Sequence, residues 1–257
     1  MQYRRYAAIF ALALVLISTS GCIYLRLLKV KQQLAAYHGY LRIENHTGLS
    51  LLFLEPVLLK DDFLFLAKRH PTRNESLGQT TRWHYLFEKR LAEGQSEKRN
   101  FDLPMDFFFQ QNKLVMARFP VRFLIILKKP VIVQGLRALG KAKVYLNSRI
   151  VSGDFYENAD MATIRAPTKA QMLKLLGKPT FSETETGAIK LTYRYRLQPG
   201  KQDAQKRPAS GWVRLTFDSR TGALLKGELK FSIIHLSMDF RPPKEKTPAP
   251  RPTPIAT

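Results

Sequence analysis

The sequence predicts an α+β fold of two tandem helix-plus-antiparallel-sheet units, with the helices packed on one sheet face. Three observations lead there. Pro71-Thr72, Tyr85, Phe87, Phe107 and Phe109 recur as Pro179-Thr180, Tyr193, Tyr195, Leu215 and Phe217, each 108 residues later. Such self-similarity at a fixed period marks a duplicated unit. A short helix-like stretch precedes each Pro-Thr, and apolar and polar residues alternate after it, the period of a half-buried strand. The first unit covers about 40–128 and the second about 129–240.

Residues 1–21 read as an export signal. Arg4 and Arg5 are followed by an apolar run from Tyr6 to Ile17 and by Ser18-Thr19-Ser20-Gly21, the order of a secretory leader. A run of about a dozen residues is short of the roughly 20 that span a membrane as a helix. The chain's one cysteine, Cys22, follows at once. The alternative is an uncleaved anchor, in which Ile23, Tyr24, Leu25, Leu27 and Leu28 prolong the apolar stretch and Arg26 is its single charge. Residues 22–39 form the anchor-proximal segment, with a helix expected from Ile23 to Tyr37.

In the first unit, Tyr40–Glu44 and Leu49–Leu54 are expected to pair around Asn45-His46-Thr47-Gly48. Leu59, Phe63 and Leu66 mark a helix whose first turn carries Asp61 and Asp62, where negative charge opposes the positive end of the helix dipole. Trp83, Tyr85 and Phe87 form one strand and Met105, Phe107 and Phe109 the next. Leu114–Leu127 is expected to continue as extended chain broken at Pro120, because Phe119, Val121, Phe123, Ile125 and Leu127 alternate.

In the second unit, Val131–Leu139 reads as helix and Lys143–Val151 as strand. Thr168 and Gln171 have capping-box spacing, Met172, Leu175 and Leu176 share one helical face, and Gly177 and Pro179 stop the helix. Leu191, Tyr193, Tyr195 and Leu197 then alternate with Lys190, Thr192, Arg194 and Arg196, and Val213, Leu215 and Phe217 alternate with Trp212, Arg214 and Thr216. Leu224–Phe240 is extended, with a change of parity that predicts a bulge or bend near Ile233. Residues 241–257 contain six prolines and lack the apolar content for a packed core.

Ser20-Gly21-Cys22 resembles the lipobox of bacterial lipoproteins, although Thr19 stands where those proteins have an aliphatic residue. The resemblance implies that Cys22 is lipidated, and Ile23 in place of Asp implies sorting to the outer membrane. Leu176-Gly177-Lys178-Pro179-Thr180, the Tyr193-x-Tyr195 strand, and Phe217-Asp218 followed by Gly222-Ala223-Leu224 resemble the SmpA/OmlA (BamE-like) outer-membrane lipoproteins. Two such units in tandem are similar in plan to the β-lactamase inhibitor protein. Together these likenesses imply an anchored, non-enzymatic interaction module serving outer-membrane protein assembly or maintenance.

The chain carries 42 Lys+Arg against 20 Asp+Glu, a net charge of +22. Nucleic acid is the usual partner of such a balance, but export argues against it. The expected partners are the membrane through the lipid anchor, and anionic lipid or an envelope protein complex. Strand alternation sends Lys190, Arg194, Arg196, Trp212 and Arg214 to one face, the candidate surface for such a partner. No cofactor or metal is expected. Gly135 to Lys141 has P-loop spacing, but Ala142 stands where Ser or Thr must ligate magnesium. Neither Asp61/Asp62 nor Asp102/Asp106 needs more than a helix-end or loop role, and the histidines lack metal-ligand spacing. The other expected function is a carrier of lipid or another hydrophobic ligand, with an apolar sheet cupping an acyl chain. A closed core favours the module, and a long apolar cavity the carrier.

Overall fold

The computed structural model describes residues 23–45, 48–97, 99–145, 150–157 and 164–242. The expected leader, Cys22 and all but the first two residues of the proline-rich segment lie outside them. Helix α1 covers 23–35 and is followed by α2 (Tyr37–Tyr40), β1 (Leu41–Glu44), β2 (Leu49–Phe53), α3 (Lys60–Ala67), β3 (Arg73–Leu77), β4 (Thr80–Arg90), β5 (Leu103–Gln110) and β6 (Lys113–Phe119). Then come α4 (Arg122–Ile126), α5 (Lys129–Lys141), β7 (Lys143–Tyr145), β8 (Ile150–Asp154), α6 (Lys169–Leu176), β9 (Phe181–Glu185), β10 (Ala188–Leu197), β11 (Ser210–Asp218), β12 (Leu224–Phe231) and β13 (Ile234–Asp239).

These thirteen strands form one mixed sheet, in the order β1-β2-β6-β5-β4-β10-β11-β12-β13-β8-β7, with β3 added to β4 and β9 to β10. This corrects the expected architecture of two helix-plus-sheet units with helices on one face. The strands do not end in two separate sheets. The C-terminal part of β4 pairs antiparallel with β10, from Phe87↔Leu197 to Arg90↔Arg194. At the other side β13 pairs in parallel with β8, from His235↔Ile150 to Asp239↔Asp154. An unpaired strand edge leaves a row of backbone donors and acceptors open, and these two pairings close the edges that separate units would leave. Six helices accompany the sheet among the described residues, not one for each unit.

The local expectations fare differently along the chain. Helix α6 is capped as its sequence predicts: the Gln171 amide donates to Thr168 Oγ1 at 3.3 Å and the Thr168 amide to Gln171 Oε1 at 2.8 Å. Gly177 ends it with φ of +73°. In α3, Asp62 accepts the Leu59 amide at 2.9 Å and also takes both Arg26 Nε and Nη2 at 2.6 Å. This bidentate pair fixes α1 to the start of α3. Gly140 of α5 lets α1 come close on the other side, since a Cβ there would overlap the backbone nitrogen of Ala35. The stretch after Pro120 is not extended: α4 occupies it, with the Phe123 amide bonded to the Pro120 carbonyl at 3.0 Å. An unbroken apolar run has no polar partner positions to reveal its period, so alternation there was uninformative. Near Ile233 the chain makes a hairpin, not a bend within one strand, since Phe231 pairs with Ile234 across a turn whose Ser232 has φ of 54°.

The large buried rings come from the odd-numbered face of the central strands. Tyr85, Phe109, Tyr193 and Phe217 are all 1% exposed or less, and truncating such a ring to alanine costs about 3–5 kcal/mol. The strands that carry them are locked at the β4–β10 junction by two threonines. Thr72 Oγ1 donates to the Gln198 carbonyl at 2.7 Å and accepts the Leu86 amide at 3.2 Å. Thr180 Oγ1 donates to the Arg90 carbonyl at 2.5 Å and accepts the Arg194 amide at 2.9 Å. Each participant in the first set lies 108 residues from its counterpart in the second. The acids behave alike: Asp203, from the loop after β10, accepts the His70 amide at 2.7 Å beyond α3, and Glu97, from the loop after β4, accepts the Lys178 amide beyond α6.

Two outcomes follow from this junction. Thr180→Val removes a donor and an acceptor and strands Arg194 N–H and the Arg90 carbonyl. It is expected to lower unfolding free energy by about 2–3 kcal/mol in urea titration. Burial alone would raise the Asp203 pKa, but hydrogen bonds from Lys206, from the His70 amide and from the His70 ring outweigh it and hold the carboxyl down to about 2. A carboxyl lowered in the folded state stabilises above its ordinary pKa of 3.8 and loses that contribution as pH falls toward 2. Denaturant titrations between pH 4 and 2 are therefore expected to show a shallower loss of stability in Asp203→Asn than in the wild-type chain.

Candidate functional site

The five residues expected to form a basic contact surface do lie on the even-numbered face of β10 and β11, with Arg194 opposite Trp212 and Thr192 opposite Arg214. They do not converge on a common point. Lys190 pairs with Glu185, and Arg196 Nη2 with Glu88 at 3.0 Å. The Arg194 guanidinium lies 4.6 Å from the Phe181 ring centre and that of Arg214 4.9 Å from Trp212. Trp212 is half-buried and meets His235 edge-on at 5.7 Å. Cys22, the expected lipidation site, lies outside the described residues. Gly135 to Lys141 is part of α5, so its amides serve the helix rather than a phosphate loop. Asp106 holds His84 Nδ1 at 2.7 Å, Asp203 holds His70 Nδ1 at 3.2 Å, and Asp102 accepts the Lys89 amide at 2.7 Å. Among the described residues no group of three His, Cys, Asp or Glu side chains is placed to hold a metal ion.

The odd-numbered face carries a different feature. A cavity of about 440 Å³ opens between α3 and the β4–β10–β11–β12 part of the sheet, lined by Phe63 and Leu66 of α3, Phe107, Tyr195, Val213 and Leu236, among others. A second cavity of about 340 Å³ adjoins it under α5, where Ile132, Leu136 and Leu139 face Leu215 and Met238. Val213, Leu229 and Leu236 line both, so the two are lobes of one cleft. Each lobe falls within the roughly 300–1,000 Å³ of small-molecule sites. The lining of the first contains one charged residue, Lys230, and that of the second one, Glu228.

The cleft arises from how the sheet is covered. Helix α3 supplies Phe63, whose ring lies 4.4 Å from Phe107 and 6.1 Å from Trp83. Met172, Leu175 and Leu176 of α6 join the buried core with Leu191 and Tyr193. Between these packed zones the β12–β13 hairpin keeps an apolar row only partly covered: Leu229 is 37% exposed, and Phe231, Ile234 and Leu236 are half-buried. A larger and more open depression, of about 740 Å³, lies between the 96–101 loop and the end of α6. Its walls include Glu97, Arg99 and Lys178, side chains that water solvates well.

One edge of the cleft is polar and buried. The Lys89 side chain, 3% exposed, donates from Nζ to Glu97 and to the Leu176 carbonyl, both at 2.7 Å. Burial lowers the Lys89 pKa, an effect that Glu97 opposes. Arg122 of α4 holds the Phe101 and Asp102 carbonyls through Nη2, at 3.1 and 2.6 Å. Nearby, the hydroxyls of Tyr193 and Tyr195 and the Nε of Arg122 are buried without a hydrogen-bond partner among the described residues. Burial raises both phenol pKa values far above the ordinary tyrosine range, so both stay neutral donors. Comparison of the chain with protein-family models, with curated proteins and with solved structures gives no match.

Proposed function

We propose that the protein is a membrane-anchored lipoprotein of the bacterial envelope that binds an acyl chain or similar hydrophobic ligand in the cleft of its sheet. The observation that carries this reading is the two-lobed apolar cavity. Apolar surface of this kind is costly to leave wet, at about 25 cal/mol per Å², and a contiguous patch open to solvent marks a binding site. An aliphatic chain matches a long lining almost free of hydrogen-bonding side chains, whereas a polar ligand would lose its hydration there without compensation.

The anchor supports the same reading. Cys22, lipidated in this proposal, directly precedes α1, and Tyr24, Leu25 and Leu28 at the start of that helix are 64, 68 and 51% exposed. No helix among the described residues is long and apolar enough to cross a membrane. An exposed apolar helix start next to a lipidated residue sits naturally at the acyl-chain boundary of a bilayer. The Arg26–Asp62 pair joins that helix to α3, one wall of the cleft, which places the ligand site close to the lipid surface.

The test is photo-crosslinking. The full chain, purified in an amphipathic polymer, is expected to crosslink a diazirine-bearing acyl lipid at peptides from β11, β12 and β13. Filling the point shared by the lobes, with Val213→Phe and Leu229→Phe together, is expected to reduce that crosslinking at least tenfold while the melting temperature changes little. Crosslinks confined to the anchor region, or unaffected by the two substitutions, would overturn the proposal.

A further inference from the structure

We infer that the ligand is a long-chain acid, and that its carboxylate is received by the Tyr195 hydroxyl, the Tyr193 hydroxyl and the Nε of Arg122 at the polar edge of the cleft. The inference rests on the cleft being a hydrophobic-ligand site and adds the chemistry of the head group. Tyr195 belongs to both features: it lines the apolar cavity and is 4% exposed, and its hydroxyl has no hydrogen-bond partner among the described residues. Arg122 is close enough for its charge to act on that hydroxyl.

The groups at this edge are donors in excess. Two phenols and one guanidinium N–H lack acceptors, while the one buried carboxylate beside them, Glu97, is already taken by Lys89 and the Lys178 amide. A buried unpaired donor costs about 1–3 kcal/mol, so three together point to an absent acceptor. A carboxylate fits because it carries negative charge to meet Arg122 and two oxygens that accept several hydrogen bonds at once. The alkyl chain attached to it would continue along the apolar lining.

The 108-residue correspondence supplies an internal control. Tyr85, the counterpart of Tyr193, donates its hydroxyl to the Arg69 carbonyl at 3.0 Å. Phe87, the counterpart of Tyr195, fills its place in the core with no hydroxyl at all and is 8% exposed. Packing at this position is therefore satisfied by a phenyl ring, and the oxygen on Tyr195 serves something other than packing.

The experiment compares two diazirine probes of equal chain length, a fatty acid and the corresponding fatty alcohol, on the full chain in an amphipathic polymer. The wild-type protein is expected to prefer the acid at least tenfold. Tyr195→Phe, which installs the side chain found at the counterpart position, is expected to bring acid binding down to the alcohol's level and leave alcohol binding unchanged. Arg122→Gln is expected to do the same, and Arg122→Lys to retain part of the preference. Equal binding of acid and alcohol by the wild-type chain, or a preference that survives Tyr195→Phe, overturns the head-group assignment and leaves the cleft reading intact. Failure of both probes to bind overturns the cleft reading itself.

Discussion

Four hydrogen bonds made by two threonine hydroxyls hold the centre of this protein together. Strands β4 and β10 share only four paired positions, Phe87–Arg90 against Arg194–Leu197, a short seam for a sheet of thirteen strands. Thr72 and Thr180 extend it by bonding, on each side, one amide and one carbonyl from opposite strands. Thr180 is 4% exposed, so water does not compete for these bonds, and each is stronger in the low dielectric around it. The acids Asp203 and Glu97 complete the arrangement. Each leaves the loop of one half to accept an amide just beyond the helix of the other. The two halves are thus tied by side chains that only make sense when both are present.

Continuity of the sheet is also what makes the cleft. Tyr195 of β10 and Val213 of β11 can line the same cavity as Phe107 of β5 and Phe63 of α3 only because β4 and β10 are neighbours. Had the two halves kept separate sheets, the facing apolar surfaces would have closed into two cores. One wide sheet with helices at intervals leaves the β12–β13 hairpin with less cover than its composition calls for. The cost of that exposure is the physical ground for expecting an occupant.

Much of the core was legible in the sequence because alternation reports burial directly. Tyr85, Phe87, Tyr193, Tyr195, Leu215 and Phe217 are all buried as their parity predicts, and Thr168, Gln171 and Gly177 bound α6 as their chemistry predicts. Strands β3 and β9 escaped notice because they are polar and exposed throughout, and so carry no apolar period. The sheet order was illegible for a different reason. The β13–β8 pairing joins segments more than 80 residues apart in parallel, and pairing of that range leaves no local signature. The candidate site falls in the same class. Basic residues on the even face are visible as an alternating pattern, whereas a cleft is defined by which core surface is left uncovered, and that depends on where every helix settles.

The correspondence between the halves separates what the fold needs from what it does not. Positions that match in both chemistry and contact, such as Thr72 with Thr180 or Phe109 with Phe217, account for the junction and the core. Where a counterpart pair diverges, packing alone no longer dictates the residue. Tyr85 finds a carbonyl for its hydroxyl while Tyr193 does not, and Phe87 has no hydroxyl where Tyr195 carries one beside Arg122. Both divergences fall in the second half and at one end of the cleft. A shared scaffold explains the symmetric residues, and the unpaired donors are the part of this structure that a ligand, rather than the fold, has to explain.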